Sequence, residues 1–339
     1  LFMYRKIMGF LEAWKESKHR KPLILQGARQ VGKTYSILEF GRTHYENVAY
    51  FNFETNPKLN ETFEENISPD YLIPILSHIA GQTIVKEKTL MVFDEVQLCE
   101  RALTSLKYFC EDAPDYHIIV AGSLLGVAVN RAKFSFPVGK VDMKTLYPMD
   151  MEEFMLALGE DDLVEQIKKC FQTDTPLPSA LHDAAMQLYR QYLVVGGMPE
   201  CVMQFAETKD YILVRHTQDT ILASYLNDMS KYNNLNEIKK TRLAYDNITV
   251  QLSKKNTRFQ YKLIKKGGRA SEFENAIEWL CLSGIVSQVY KVEKIKKTLE
   301  NYRDIDAFKI YVSDLGLLCA KKDLAANDIL YMVEEINDF

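Results

Sequence analysis

The segment Gly27-Ala28-Arg29-Gln30-Val31-Gly32-Lys33-Thr34 constrains this chain more than any other. Glycines at its start and before its lysine let the backbone curl until successive N–H groups converge on one point. A helix beginning there adds the partial positive charge of its N-terminus. The pattern G-x-x-x-x-G-K-[ST] therefore predicts a phosphate-cradling P-loop. Its context agrees. Pro22 opens an apolar, strand-like run, Leu23-Ile24-Leu25, and a helix is expected from about Lys33 to Thr43. The expected nucleotide-binding residues are Gly27, Ala28, Arg29, Gln30, Val31, Gly32, Lys33, Thr34 and Tyr35. Lys33 would reach the β- and γ-phosphates, and the Thr34 hydroxyl would ligate Mg²⁺.

A second run, Leu90-Met91-Val92-Phe93-Asp94-Glu95, is an apolar strand ending in two acids. Asp94 at such a strand end would share the metal with Thr34, and Glu95 would deprotonate an attacking water. A third strand, His117-Ile118-Ile119-Val120-Ala121, delivers Ser123 to the same sheet edge, where it could report the γ-phosphate or the lytic water. The guanine-selecting pattern N-K-x-D is absent, which favours ATP over GTP. The expected catalytic set is Lys33, Glu95 and Ser123, with Thr34 and Asp94 for the metal. A small-molecule kinase shares the loop but seldom needs a Glu95-like base. A nucleotide-gated switch with negligible turnover is the other alternative.

Around these motifs short apolar strands alternate with helical segments, the mark of a parallel sheet covered on both faces. A helix over 5–16 places Ile7, Leu11 and Trp14 on one side. Strands are expected at 47–53 and 140–146, and a helix at 102–110, giving about five strands by residue 147. Beyond Pro148 the pattern turns helical and acidic, interrupted at Gly196-Gly197 and Pro199. From 236 onward two helices, the second starting at Ser271 with a Ser271–Glu274 capping box and a core face of Phe273, Ile277 and Leu280, precede strand-like runs at 285–292 and 307–312. That order suggests a winged helix. The expected division is 1–148 (nucleotide-binding core), 149–232 (helical), 233–318 (winged-helix-like) and 319–339 (start of a further segment).

Composition excludes several classes. The 339 residues are 47% apolar and 26% charged, ordinary for a folded chain and unlike a disordered one. No run of about 18 apolar residues marks a membrane span, and the N-terminus lacks a signal-peptide core. Six cysteines without a C-x-x-C pair signal neither zinc nor a disulfide scaffold, so reduced thiols in the cytoplasm are expected. The net charge of −4 is uneven: residues 151–230 carry −8 and residues 231–297 carry +9. The basic stretch suggests an acidic partner. The helix beginning at Ser271, however, would expose Glu272, Glu274, Asn275 and Glu278, which repel phosphate. Lys265, Lys266, Arg269, Lys291, Lys294, Lys296 and Lys297 flank it. Non-specific DNA contact through these cations is one role for the stretch; docking of an unknown protein partner, or a merely structural role, is favoured over it.

Taken together the residues resemble the bacterial AAA-type ATPases that carry a C-terminal domain of unknown function, allied to the archaeal-type ATPases. The resemblance rests on 27–34, on Phe93-Asp94-Glu95-Val96-Gln97, and on Ala121-Gly122-Ser123-Leu124-Leu125-Gly126. It continues through 146–154, Gly196-Gly197-Met198-Pro199-Glu200 and Asp228-Met229-Ser230-Lys231-Tyr232, so it spans nearly the whole chain. It implies a core sheet of order 5-1-4-3-2, a helical region, a winged-helix-like region and usually a nuclease-like C-terminal fold. No carboxylate followed by an E-x-K strand occurs after residue 300, and truncation or loss of that last domain is expected. The family often has Gly-Arg as a trans-acting finger where this chain has Gly139-Lys140, and a lysine lacks the bidentate fork. Arg131 and Arg101 are the fallback candidates. Gln97 is a candidate nucleotide sensor at the strand edge.

Overall fold

The computed structural model of the chain describes residues 3–124, 137, 139–231, 235–254 and 258–331. Arg131, Leu125, Gly126 and Tyr232 lie outside the described residues. The chain forms two compact units, one of Arg5–Tyr147 and one of Pro148–Phe339 together with Leu1–Tyr4.

The first unit is built on five parallel strands: β1 (Leu23–Gln26), β2 (Asn47–Asn52), β3 (Thr89–Asp94), β4 (His117–Ala121) and β5 (Asp142–Thr145). Their spatial order is β2-β3-β4-β1-β5, which is the order 5-1-4-3-2 read from the other edge. β3 and β4 are buried at every position, and so is the apolar run of β1. This explains why they read as continuous apolar runs rather than as alternation. Helices α1 (Ile7–Glu16), α2 (Lys33–His44), α3 (Lys58–Glu65), α4 (Pro69–Ala80) and α5 (Glu100–Asp112) belong to this unit. Ile7, Leu11 and Trp14 form the buried side of α1, as the spacing predicts.

One face of the sheet (Ile24, Ala49, Phe51, Met91, Phe93, Ile118, Val120) packs under α3, α4 and α5 through Phe63, Leu72, Leu76, Leu103, Leu106 and Phe109. Phe51, Phe53 and Phe63 surround Phe93 with ring centroids 5.9, 6.0 and 5.6 Å away, in edge-to-face contact. Such contacts add to area burial, and here they anchor the strand residue that precedes Asp94.

The second unit opens with α6 (Met151–Ala157), α7 (Asp161–Gln172), α8 (Ser179–Val195), α9 (Pro199–Thr208) and α10 (Tyr211–Lys231). It continues with α11 (Leu235–Leu252), the single turn α12 (Tyr261–Ile264) and α13 (Ala270–Leu282). An antiparallel hairpin of β6 (Val286–Val292) and β7 (Arg303–Val312) follows, then α14 (Leu315–Lys321) and α15 (Ala326–Leu330). Phe273, Ile277 and Leu280 form the buried face of α13, and Gly284 is left-handed just past its end. The Ser271–Glu274 capping box does not form. The helix starts a residue earlier, at Ala270, with Arg269 in the cap position and no side-chain cap bond. A capping box forms instead at Asp150 and Glu153, at the head of α6.

The turn between α8 and α9 is fastened to the head of α14. Gly197 N donates to Asp314 Oδ2 at 2.6 Å and Leu317 N to Asp314 Oδ1 at 2.9 Å. A Cβ on Gly197 would collide with the Met149 backbone, whose N–H donates to the Gly197 carbonyl at 2.6 Å. Burial pushes the Asp314 carboxyl up to about 6, against the pull of backbone N–H donors from Gly197, Leu317 and Gly316. A carboxyl raised in the fold binds its proton more tightly than in the unfolded chain. Its stabilising effect is therefore full below the ordinary aspartate range and is lost as pH rises through about 6. The advantage of wild type over Asp314→Asn in urea unfolding should grow by about 1 kcal/mol between pH 7 and pH 5. A constant gap would contradict the ionisation.

Candidate functional site

β1 ends at Gln26, and the chain leaves the sheet through Gly27 at φ +148°. Leu146 N donates to the Gln26 carbonyl at 2.8 Å, prolonging the β1–β5 pairing by one residue. The Leu146 carbonyl consequently lies where a Cβ on residue 27 would be. Gly32, at φ +90°, is the left-handed residue that turns the loop into α2. The first amides of any helix lack intrahelical acceptors. The first bond closed here is from Ser36 N to the Gly32 carbonyl, so the N–H groups of Lys33, Thr34 and Tyr35 stand at the loop, with no acid in the first turn to oppose an anion. Lys33 is only 7% exposed. Its Nζ donates to the Gly27 and Ala28 carbonyls, each at 2.8 Å. Ala28 and Val31 are buried, Arg29 is half-buried, and Gln30 and Tyr35 face solvent.

Thr34 and Asp94, sixty positions apart in sequence, meet directly. Thr34 Oγ1 donates to Asp94 Oδ2 at 2.8 Å. The Tyr50 hydroxyl, from β2, donates to the same oxygen at 2.7 Å. Glu95 N donates to Asp94 Oδ1 at 3.0 Å. Burial foremost, with the Asp94 bond assisting, pushes the Tyr50 phenol up to about 12, so it remains a donor. Glu95 sits at φ +51°, turning the chain out of β3, and its carboxylate accepts from the Gln97 side-chain amide. A hydroxyl and a buried carboxylate in contact are hard oxygen donors of the kind Mg²⁺ prefers.

Ser123 is buried two residues beyond β4. β4 lies between β3 and β1, with Ala121 level with Leu25 and Val120 level with Phe93. The parallel sheet thus brings the loop, Asp94, Glu95 and Ser123 to one edge. Arg101 stands elsewhere: its Nε donates to the Phe63 carbonyl at 3.2 Å and lies 3.8 Å from the Glu64 carboxylate. Lys140 pairs with Glu111 at 2.8 Å at the surface.

Two residues escaped the sequence reading. Tyr50 carries no motif; only its place on the strand beside β3 gives it a role. Arg5, 4% exposed, donates to the Val31 carbonyl at 2.9 Å and to the Tyr147 carbonyl at 2.7 Å. Its sequence signal was one of two adjacent cations, Arg5 and Lys6, at the start of an amphipathic helix. Among the described residues no group of three or more His, Cys, Asp or Glu could hold a metal, and no helix is long and apolar enough to cross a membrane.

Residues 19–155 match the AAA domain, and residues 186–328 match a domain of unknown function, DUF8612. The chain thus pairs a match to the AAA domain with a match to a C-terminal domain of unknown function. Its fold is similar to that of the Walker-type ATPase PABY2304 of Pyrococcus abyssi, at 13% identity and a TM-score of 0.57, over 95% of this chain and 96% of that one. A weaker likeness is to the ORC2 protein of Aeropyrum pernix, at 11% identity and a TM-score of 0.48, over 96% and 94%. At 13% identity the first likeness is one of fold alone, and the second is too slight to carry an inference. No curated protein matches the chain by sequence.

Gly27→Ala should destabilise the AAA domain by about 2 kcal/mol or more, since the new Cβ meets a backbone carbonyl that cannot rotate away. Urea unfolding monitored on the first unit checks it; a loss under about 0.5 kcal/mol, the range of ordinary surface substitutions, would show that Leu146 yields.

Proposed function

We propose that the chain is a Mg²⁺-dependent ATPase whose nucleotide state drives conformational change or partner binding in the second unit. The observation that carries the reading is the Thr34–Asp94 bond at the mouth of the loop, which joins the two motifs in one donor set. The loop amides and Lys33 bind the phosphates, Lys33 exchanging the Gly27 and Ala28 carbonyls for phosphate oxygens. Thr34 and Asp94 would hold Mg²⁺, which when bound neutralises charge on the β- and γ-phosphates. Glu95, oriented by Gln97, accepts the proton of a water whose oxygen attacks the γ-phosphorus. The bond to the β-phosphate oxygen breaks, giving ADP and inorganic phosphate. Ser123 reports the γ-phosphate.

The second unit is read as a helical region over 149–232 and a winged-helix-like region over 233–318, in which α11, α12 and α13 precede the β6–β7 hairpin as wing. Glu274, Asn275 and Glu278 are exposed on α13. A protein partner suits that face better than DNA, and duplex contact falls to the flanking lysines. Six free cysteines accord with a cytoplasmic setting. The pairing of Lys140 with Glu111 favours one second reading, a slow nucleotide switch, because no arginine fork stands there.

Steady-state phosphate release with Mg-ATP should fall about 100-fold or more in Lys33→Ala and in Glu95→Gln, with ATP binding retained in the latter. Equal rates in Glu95→Gln and wild type would remove the base. Tight binding without turnover in wild type would establish the switch. ADP formation requiring a second acceptor would establish a kinase. Stimulation by duplex DNA at low salt would give the lysines their role.

A further inference from the structure

Arg5 divides its guanidinium between two places that matter differently. One nitrogen holds the Val31 carbonyl inside the phosphate-cradling loop, and another holds the Tyr147 carbonyl. The chain passes between its two compact units at Tyr4–Arg5 and again at Tyr147–Pro148. Arg5 therefore stands at one passage, grips the last residue before the other, and grips the loop as well. A planar guanidinium with donors in fixed directions sets the separation of two carbonyls; the point charge of a lysine does not. Both acceptors are backbone atoms, so the guanidinium is the only part of this link that a side-chain change removes.

The segment that leaves the first unit has little slack. Leu146 is bonded to Gln26, and Tyr147 to Arg5. Pro148 has its φ fixed by its ring. Met149 is held twice within the second unit: its N–H donates to the Gly197 carbonyl at 2.6 Å, and its carbonyl accepts from the Tyr192 hydroxyl at 2.7 Å. Gly197 in turn donates to Asp314. A phosphate entering the loop competes for Lys33 with the Gly27 and Ala28 carbonyls, in the same loop whose Val31 carbonyl Arg5 holds.

We propose that Arg5 is a positioning residue that couples occupancy of the loop to the Gly196-Gly197-Met198-Pro199 turn of the second unit, through residues 146–149. The coupling rests on the nucleotide-binding reading above. It acts through hydrogen bonds within each unit and the covalent chain that joins them.

Hydrogen exchange of the full chain, with and without saturating Mg-ADP or Mg-ATPγS, tests it, with calorimetry of the same nucleotides alongside. In wild type, nucleotide should slow exchange at the Met149 and Gly197 amides by about tenfold. Arg5→Lys at saturating nucleotide should lose that slowing. Tyr192→Phe, far in sequence from the loop, should bind nucleotide with wild-type affinity and lose most of it. Wild type that binds nucleotide without a change at Met149 and Gly197 overturns the coupling and leaves the nucleotide reading intact. So does Arg5→Lys, or Tyr192→Phe should Arg5→Lys not fold, if it keeps the whole change. Wild type without heat of binding overturns both.

Discussion

The P-loop end of the sheet depends on one steric constraint, the Leu146 carbonyl resting against Gly27. Parallel pairing of β1 with β5 in the register Gln26↔Thr145 puts it there. Any side chain at residue 27 would push β5 from its neighbour or bend the loop away from the helix N-terminus. With glycine in place, the chain turns out of β1 and reaches Lys33 within six residues. Because β1 lies between β5 and β4, and β4 beside β3, the same edge receives Asp94 and Ser123. The site is a consequence of strand order more than of any one bond.

Several charges are buried to make this work, and an unpartnered buried charge costs several kcal/mol. Asp94 and Asp314 are both about 5% exposed or less, yet they are satisfied in opposite ways. At one oxygen Asp94 accepts from two hydroxyls, Thr34 and Tyr50. These are side-chain donors that rotate and can give way to a cation. Asp314 accepts from backbone N–H groups fixed by the helix head and the Gly197 turn. Those donors cannot leave. The first arrangement suits exchange of partners; the second suits a permanent joint. Lys33 resembles the first: under the proposed function, phosphate oxygens replace the Gly27 and Ala28 carbonyls that it holds.

Much of the first unit was legible in the sequence because its signals are local. A buried parallel strand is a short apolar run, and a P-loop is eight consecutive residues. Strand order came from family resemblance, since β1 pairing with β4 and β5 rather than β2 leaves no mark in local pattern. What escaped was non-local polar contact. Arg5 reads as one of two adjacent cations at the start of a helix, and the Val31 and Tyr147 acceptors are carbonyls without side-chain identity. Tyr50 reads as an apolar strand residue. The Ser271 capping box misled for a different reason. The S-x-x-E pattern was present, but α13 begins at Ala270. Once Ser271 lies inside the first turn, its hydroxyl is misplaced for capping. The Asp314 joint joins motifs more than a hundred residues apart, and no spacing argument reaches it.

Charge in the second unit argues against reading it as a uniform basic surface. Two cations of the 231–297 stretch are matched locally: Lys240 pairs with Glu237 at 2.9 Å and Lys265 with Glu272 at 3.3 Å. Three further exposed cations, Lys294, Lys296 and Lys297, flank an exposed Ile295 at the tip of the hairpin. Lys296 also lies over the Tyr302 ring at 5.5 Å, and Arg303 over Tyr290 at 4.4 Å. Those contacts spend part of the charge on stiffening the hairpin. Meanwhile Glu274 and Glu278 project from α13. A duplex laid along that helix would set carboxylates against phosphates, at a cost that falls with salt while the attraction of the lysines falls too. A partner presenting acidic groups to the hairpin and basic groups to α13 meets favourable charge on both, and that pattern belongs to a protein surface rather than to a polyanion.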